Sequence, residues 1–251
     1  MLRNVPRKYL QFFSHYVLRI LAVYYKGNNV ECPIDGKTYR KFLPYGRVES
    51  RPNALCPSSL SLERHRLLWL FLKEKTTFFD ENLRLLHIAP ELCFIDRFKS
   101  MTNLDCVTVD LESPLADVKA NLLDLPFEDR SFDVALCNHV MEHIESDKKG
   151  MKELFRVLRP GGWAIIQSPV FYELETTIED ESIVDPKERE RIYGQDDHLR
   201  KYGRDYGDRL RMAGFLVEED DYVKTLPPEK VRRYALPDDE IIYMCRRPTD
   251  E

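Results

Sequence analysis

From about residue 65 onward, two spacings of apolar residues alternate along the chain. Short runs rich in β-branched and other apolar residues predict strands, and stretches with apolar residues three or four apart predict helices. The predicted strands are Leu83–Ala89, Cys106–Asp110, Ala116–Ala120, Phe132–Asn138, Trp163–Ser168, Phe215–Glu219 and Glu240–Cys245. The predicted helices are Arg64–Lys73, Asp147–Leu158 and Asp205–Met212. This alternation predicts an α/β fold, a doubly wound and mostly parallel sheet with helices on both faces.

Residues 1–30 combine positive charge with a helical pattern. Five lysine and arginine residues precede the first acidic residue, Glu31, and apolar side chains recur at helical spacing from Leu10 to Tyr24. The pattern predicts an amphipathic basic helix whose apolar stripe packs on the body of the protein. A second interpretation is peripheral contact with anionic lipid, which suits a basic, aromatic helix. The stretch is too polar for a spanning helix, which needs about 20 largely apolar residues.

Residues 31–64 contain two turns that each begin with Cys-Pro, at Cys32 and Cys56. Two Cys-x-x-Cys knuckles would supply four thiolates to a tetrahedral zinc ion. Here Asp35 and Ser59 replace the second cysteine of the two knuckles. Two thiolates do not form a structural zinc site, so the sequence predicts a degenerate, metal-free ribbon-like segment. Zinc held with the help of Asp35 or His65 is the alternative.

Composition narrows the class of protein. With 251 residues, 43% of them hydrophobic, the chain is long enough for one large domain, here residues 65–251, and an amino-terminal appendage. The formal net charge of −5 argues against a general nucleic-acid binder. The six cysteines suggest no disulfide framework, and no secretory cleavage site is visible. We therefore expect a cytoplasmic protein, with the amino-terminal helix as its one candidate for membrane contact.

A carboxylate ends the second predicted strand. In open α/β sheets the ligand lies across the carboxyl ends of the strands, where the strand order reverses. Asp110 stands at such an end, and a carboxylate there can accept hydrogen bonds from the hydroxyl groups of a ribose. The alternative is that Asp110 only caps the next turn.

Three blocks that follow resemble the class I S-adenosylmethionine-dependent methyltransferases of the type 11-like group. They are residues 120–134, Asn138–Ile144 and Glu153–Gly162, in the order and spacing of that family. The resemblance covers about residues 83–246. It implies a seven-stranded Rossmann-like sheet over residues 65–251 and S-adenosylmethionine as the cofactor. Residues 1–30 and 31–64 would then be a small helical and ribbon-like appendage.

The resemblance implies a role for each matching position. Asp110 would hold the ribose with Leu111 beside it, Asn121 and Leu122 would frame the adenine, and Asn138 and His139 would line the methionine end. Asn121 departs from the acidic residue that is usual in the family, but its side-chain carbonyl can still accept a hydrogen bond from the adenine amino group.

The first motif departs most from the family pattern. An acidic residue and a glycine-rich turn are usual after the first strand, whereas this chain has no glycine between Gly46 and Gly150. It resembles a subgroup with a His-Ile-Ala-Pro-Glu turn and a cysteine-rich ribbon. The matching positions implied for cofactor binding are His87, Ala89, Pro90 and Glu91, with Glu91 near the cofactor's ammonium group. The alternative is a pocket that no longer holds the cofactor.

Histidine is the natural general base at neutral pH. His139 is expected at the mouth of the sheet, and His198 lies in a polar run, residues 193–203, where such enzymes often place a substrate lid. Both are candidate catalytic residues, and Arg200 is a candidate partner for an anionic group of the substrate. The alternatives are a structural His139 and an exposed polar loop at 193–203. We interpret His143 as structural.

These observations favour an enzyme that methylates a small-molecule or glycan-like acceptor. A second hypothesis is a non-catalytic binding module that keeps the fold without the cofactor. A third is a methyltransferase that modifies protein or RNA. The identity of the acceptor and the oligomeric state are left open by the sequence.

Overall fold

The computed structural model describes residues 18, 20–46 and 50–250. They form two compact units: the described residues up to Phe79 with Asp221–Glu240, and Asp80–Asp220 with the segment from Ile241 onward. Most of the predicted amino-terminal helix lies outside the described residues, so its packing and its membrane contact stay predictions. Within the described part of the chain, no helix is long and apolar enough to cross a bilayer.

The first unit contains two small antiparallel sheets and several helices. Its elements are β1 (Lys26–Glu31) with β2 (Thr38–Tyr39), β3 (Leu43–Tyr45) with β4 (Arg51–Leu55), α1 (Glu63–Lys75), and the later helices Tyr222–Thr225 and Pro228–Tyr234. Arg66 of α1 is fully buried. Its guanidinium donates hydrogen bonds to the backbone carbonyls of Ala54, Ser61, Tyr234 and Ala235. Such pairing is what allows a charged group to be buried.

The two Cys-Pro turns of this unit meet. Each closes with a hydrogen bond from a later amide to the cysteine carbonyl, 2.8 Å in the first turn and 3.0 Å in the second. The Sγ atoms of Cys32 and Cys56 and a carboxylate oxygen of Asp35 lie within 4.8 Å of one another, and the Ser59 hydroxyl lies 3.2 Å from the Cys32 Sγ. The four positions singled out in the sequence are therefore neighbours, while descent from a zinc ribbon stays a prediction.

The second unit is built on a seven-stranded sheet. The strands of this unit are β5 (Leu83–Ile88), β6 (Leu104–Asp110), β7 (Val118–Lys119), β8 (Phe132–Asn138), β9 (Leu158–Gln167), β10 (Ile178–Glu179), β11 (Arg200–Lys201), β12 (Leu216–Asp220) and β13 (Ile242–Arg246). β10 and β11 pair with each other, and the others follow the order β12-β13-β9-β8-β5-β6-β7. The strands β5 to β9 of this sheet are parallel, and β13 is antiparallel to both β9 and β12. The predicted doubly wound, mostly parallel sheet is confirmed.

Four helices in this unit are α2 (Ile95–Ser100), α3 (Asp147–Val157), α4 (Pro186–Tyr193) and α5 (Tyr206–Met212). The predictions of α3 and α5 are confirmed. The hydrophobic pattern missed α2 and α4, because α2 has only six residues and α4 buries only Tyr193. Capping signals do mark α4, since the Asp185 side chain accepts a hydrogen bond from the Lys187 amide and Gly194 ends the helix in a left-handed conformation.

The burial of the central strands explains why their sequences are apolar. Residues 134–137 of β8 and 164–166 of β9 are fully buried, as expected for parallel strands covered on both faces. α3 contributes Met151, Leu154 and Val157, spaced three apart and all fully buried. Polar side chains are therefore concentrated where these apolar strands end, at the carboxyl edge of the sheet.

Candidate active site

The strand order reverses at the centre of the sheet. β5 has β6 on one side and β8 on the other, so the chain extends the sheet outward to β7 and then returns to the opposite side of β5. At such a switch point the loops after the central strands diverge and leave a crevice that binds ligands. The residues that follow β5, β6 and β8 frame this crevice.

The turn after β5 keeps a glycine-like backbone without a glycine. Ala89 has a φ of +46°, and its amide donates a 2.8 Å hydrogen bond to the carbonyl of Val109 on β6. In this left-handed region a Cβ costs roughly 1–2 kcal/mol, whereas glycine pays no steric penalty. The sequence therefore departs from the family pattern, with Ala89 in place of a glycine, at a position where the backbone conformation favours glycine. Ala89 and the following Pro90 are both partly exposed.

Glu91 bridges the ends of β5 and β8. Its Oε2 lies 2.5 Å from Nε2 of the fully buried His87, and its Oε1 accepts a 2.8 Å hydrogen bond from Nδ2 of Asn138. The Oδ1 of Asn138 is buried and has no hydrogen-bond partner among the described residues. Because carboxylate and amide oxygens carry two lone pairs each, Glu91 and Asn138 together offer acceptors for a positively charged donor.

Asp110, at the end of β6, has one carboxylate oxygen engaged. Oδ1 accepts hydrogen bonds from the amides of Glu112 at 2.8 Å and Ser113 at 2.7 Å, which fixes the turn after the strand. The described residues include no hydrogen-bond donor to Oδ2. Asp110 thus caps the turn through Oδ1, which is one of the two roles that the sequence allowed. Its Oδ2 is still available to a ligand. Leu111 beside it is 55% exposed.

The two residues expected to frame an adenine lie in different surroundings. Asn121 is exposed, and its Oδ1 accepts a 2.9 Å hydrogen bond from the Leu123 amide, so the carbonyl assigned to an adenine amino group already has one donor. Leu122 is buried in the hydrophobic core of the sheet, near Gly150 of α3.

His139 follows β8 in a strained conformation and is paired with a buried carboxylate. Its φ is +55°, and its amide donates a 2.7 Å hydrogen bond to the Gln167 carbonyl at the end of β9. Its Nδ1 lies 3.4 Å from Oε1 of Glu142, and a quarter of its side chain is exposed. Non-glycine residues in this region often mark functional sites.

Glu142 is almost completely buried. Burial by itself would raise the pKa of this carboxyl, but the hydrogen bond from His139 and the nearby charges of His139 and His143 outweigh it and hold the pKa below its ordinary value. The Ser168 hydroxyl donates a 2.9 Å hydrogen bond to Oε2. A carboxylate that contacts a partly exposed imidazole is the arrangement that orients a general base.

His198 lies deeper than its polar neighbourhood in the sequence suggested. It is 4% exposed, and its ring packs edge-on against His143 with the centroids 4.8 Å apart. Burial holds the pKa of His198 below its ordinary value. His143 is more exposed, and its Nδ1 lies 3.3 Å from the carbonyl oxygen of Asp197.

Arg200 is a structural residue, so its assignment to an anionic substrate is wrong. It is 4% exposed, and it pairs with Glu179. Its other hydrogen bonds go to the backbone carbonyls of Met141, Ile144 and Glu145. Residues 193–203 are also not a wholly exposed loop, because Tyr193, His198, Arg200 and Tyr202 are all buried.

Sequence reasoning missed Glu142 and Ser168. Glu142 stands three residues after His139, the spacing at which side chains on one helical turn meet, so a signal was present in the block Asn138–Ile144. Ser168 directly follows β9, and only the packing of that strand beside β8 brings it to Glu142.

Comparison with known proteins identifies a domain in this part of the chain. Residues 92–166 match the family described as "Methyltransferase domain". The matched segment runs from the loop after β5 to the next-to-last residue of strand β9 and includes Asp110, Asn138, His139 and Glu142.

Two curated relatives match shorter segments. The demethylmenaquinone methyltransferase of Clavibacter sepedonicus is 43% identical over 49 residues, 20% of this chain and 20% of the relative. The ajmaline N-methyltransferase of Rauvolfia serpentina is 34% identical over 93 residues, 37% of this chain and 28% of the relative. The chain thus spans less than a third of the length of these relatives.

Among solved structures, the [4+2]-cyclase SpnF has a TM-score of 0.54 at 16% identity, over 87% of this chain and 92% of that chain. Identity this low shows the fold alone, and one fold supports several chemistries. With the domain match, the likeness shows that the sheet is of the Rossmann-like type found in methyltransferases.

Proposed function

We propose that this protein is an S-adenosylmethionine-dependent methyltransferase that acts on a small-molecule acceptor. The observation that carries the proposal is a set of side-chain oxygen acceptors at the ends of three adjacent strands. They are Oδ2 of Asp110 on β6, the carboxylate of Glu91 after β5, and the buried Oδ1 of Asn138 on β8. All but Glu91 lie in the segment that matches the methyltransferase domain.

The proposal assigns each of these residues to one part of the cofactor. Glu91 and Asn138 would accept hydrogen bonds from the ammonium group of the methionine part, and Asp110 would accept from the ribose. Adjacent strands are about 4.8 Å apart, so acceptors on β6 and β8 are roughly 10 Å apart, which suits a nucleoside joined to an amino-acid chain. Ala89 and Pro90 would line the path between them, and His87 would hold Glu91 in place.

The adenine would lie beside Leu111 and Asn121, at the edge of the sheet next to β7. Leu111 offers an exposed apolar surface that would otherwise contact water. Leu122 would support this edge from the core. The amide group of Asn121 could reach the base only if its hydrogen bond with Leu123 is shared or broken.

S-adenosylmethionine supplies a methyl group on a sulfonium sulfur, and its transfer to oxygen or nitrogen is an in-line displacement. His139 would take the proton that the acceptor loses, since its ring is partly exposed beside the crevice. Glu142 would orient that ring and stabilise its protonated form. A positioned base of this kind contributes about 10²–10⁴-fold. His198 is the other candidate base, but its burial leaves less room for an acceptor.

A small-molecule acceptor is supported by the names of the relatives, a quinone methyltransferase and an alkaloid N-methyltransferase. The net charge of −5 disfavours RNA as the acceptor. Neither observation selects oxygen or nitrogen as the acceptor atom.

Calorimetric titration with S-adenosylmethionine and with its demethylated product tests the proposal. We expect micromolar binding, about −8 kcal/mol. Asp110→Asn keeps an oxygen to cap the turn but loses the charge, so it should weaken binding by about 10–100-fold, the value of a hydrogen bond to a charged group. Asp105→Asn is the matched control on the same strand, because its side chain is 71% exposed.

A non-catalytic binding module remains the competing function. The observation that favours it is the engagement of both Glu91 oxygens by His87 and Asn138, which could close the crevice. No heat and no thermal shift with millimolar S-adenosylmethionine would favour this alternative, and equal affinity in wild type and Asp110→Asn would refute the ribose assignment.

A further inference from the structure

Three side chains with metal-binding atoms converge beside the loop after β8. One carboxylate oxygen of Glu142 and one ring nitrogen each of His143 and His198 lie within 4.8 Å of one another. Glu142 is 2% and His198 4% exposed, whereas His143 lies at the surface. The cluster therefore has a buried floor and one open side.

His198 provides an independent sign that something binds there. Its Nε2 is buried and has no hydrogen-bond partner among the described residues, which is unfavourable for a polar atom. The ring makes a hydrogen bond with the backbone of Tyr193. With the ring held by Tyr193, the unpartnered Nε2 can present a lone pair to an ion.

The other two residues are held by neighbours. Nδ1 of His143 lies 3.3 Å from the carbonyl oxygen of Asp197 and 3.6 Å from its carboxylate. Oε2 of Glu142 accepts a hydrogen bond from Ser168. Such contacts orient metal-bound histidines and carboxylates in proteins and increase their affinity for the ion.

We propose that Glu142, His143 and His198 bind a divalent transition-metal ion of the Zn²⁺ type. Two imidazoles and one carboxylate form a ligand set that suits zinc, while Mg²⁺ and Ca²⁺ prefer oxygen ligands. Ligands about 2.1 Å from a tetrahedral ion are roughly 3.4 Å apart, so the three ligand atoms, which lie within 4.8 Å of one another, need to approach by up to about 1.4 Å. The surface position of His143 allows this movement and leaves a coordination position open to solvent.

The site is separate from the groups assigned to the cofactor, and its existence does not depend on methyl transfer. Glu142 connects the two regions, because its Oε1 lies 3.4 Å from Nδ1 of His139. An ion bound here would lie on the side of the crevice assigned to the acceptor, where an open coordination position could receive an oxygen or nitrogen atom.

Binding of Co²⁺ tests the proposal, since this ion replaces Zn²⁺ and absorbs visible light when bound. Cys32, Asp35 and Cys56 form another cluster of metal-binding atoms in the described chain, so titrations are run on wild type and on the double variant Cys32→Ser/Cys56→Ser. Circular dichroism verifies the fold of each variant. Thiolate ligation is recognised by intense near-ultraviolet absorption, which nitrogen and oxygen ligands do not produce.

We expect one Co²⁺ to bind with nitrogen and oxygen ligands in the double variant. In that background, Glu142→Gln and His198→Gln should each weaken binding by more than about 100-fold, beyond the loss of a supporting neighbour. Glu145→Gln is the control, because it removes a carboxylate two residues from His143 that is not in the cluster. If Glu142→Gln does not fold, His143→Gln at the surface replaces it.

Three results would overturn the proposal: no binding in the double variant at millimolar Co²⁺, unchanged affinity in His198→Gln, or an equal loss in Glu145→Gln. Calorimetry with S-adenosylmethionine on the same samples separates this result from the proposed function, since either ligand can bind when the other does not.

Discussion

Glu153 and Arg156 stand one turn apart on α3, and together they hold the loop between β7 and β8. The Arg156 guanidinium lies 2.9 Å from Glu153 and donates hydrogen bonds to the carbonyls of Leu125 and Phe127, while the Leu125 amide donates to Glu153. The hydrogen bond from Arg156 holds the pKa of Glu153 below its ordinary value, against the opposing effect of burial. These residues of the third family-like block therefore support the loop that carries the first.

Glu153→Gln should lower the free energy of unfolding by about 1–3 kcal/mol at neutral pH, because hydrogen bonds to a charged group are lost. The folded-state pKa is lowered, so this stabilisation is present above the unfolded-state pKa of about 4.3 and disappears as the pH falls through the folded-state value. Urea unfolding of wild type and variant near neutral pH and at about pH 3.5 measures the difference.

Glu188→Gln is the matched control. Glu188 forms the same i,i+3 pair with Arg191 on α4, but the distance is 3.6 Å and the side chain is 49% exposed. A loss of at most about 0.5 kcal/mol is expected. Equal losses in the two variants, or a loss in Glu153→Gln that persists in acid, would contradict the assignment.

At the scale of elements, a buried ion pair connects the first turn of α3 to α5. Nε of Arg209 lies 2.8 Å from one carboxylate oxygen of Asp147, and Nη2 lies 3.0 Å from the other. The side chains are 8% and 3% exposed. Tyr202 donates a further hydrogen bond to Asp147, and Glu179 pairs with Arg209. The pair therefore joins two helices and the segment that contains β10.

Arg209→Met should destabilise the protein by about 3–5 kcal/mol, because Asp147 would remain buried without its charged partner. Arg211→Met on the same helix is the control: its side chain is 44% exposed, and surface pairs contribute about 0–1 kcal/mol. Chemical denaturation compares the two variants. Stability of Arg209→Met within about 1 kcal/mol of wild type would show that the pair is dispensable.

At the scale of the whole molecule, 43 acidic residues outweigh 38 basic ones. Nucleic-acid binding depends largely on the neutralisation of phosphates by lysine and arginine. We therefore expect that the anisotropy of a fluorescently labelled RNA does not change at protein concentrations below about 10⁻⁴ M at physiological salt. Micromolar binding that weakens steeply with added salt would revive the hypothesis of an RNA-modifying enzyme.

Much of the sheet and part of the site were predictable from local patterns. The fully buried runs of β8 and β9 appear in the sequence as continuous apolar segments, and α3 appears as an amphipathic repeat. Parallel strands end at a common edge, so Asp110, Glu91 and Asn138 could be assigned to that edge without coordinates. Ala89, which stands where the family resemblance places a glycine, has a left-handed backbone.

Contacts between distant segments could not be read from these patterns. Leu122, which the resemblance places beside the adenine, packs in the core, and Arg200 was assigned to a substrate but is enclosed by backbone carbonyls. Leu122 lies in a loop and Arg200 in the two-residue strand β11, so no periodicity indicates which side of either residue faces inward.

The sequence alone therefore determined which segments form the parallel sheet and which residues stand at its carboxyl edge, because burial on both faces imposes a local apolar pattern on each strand. Only the tertiary structure decided that Glu91 joins two strand ends and that His198 meets Glu142 and His143. These contacts depend on the paths of irregular loops. The paths are set by the pairing of buried polar groups that are tens of residues apart in the sequence, and not by any local preference.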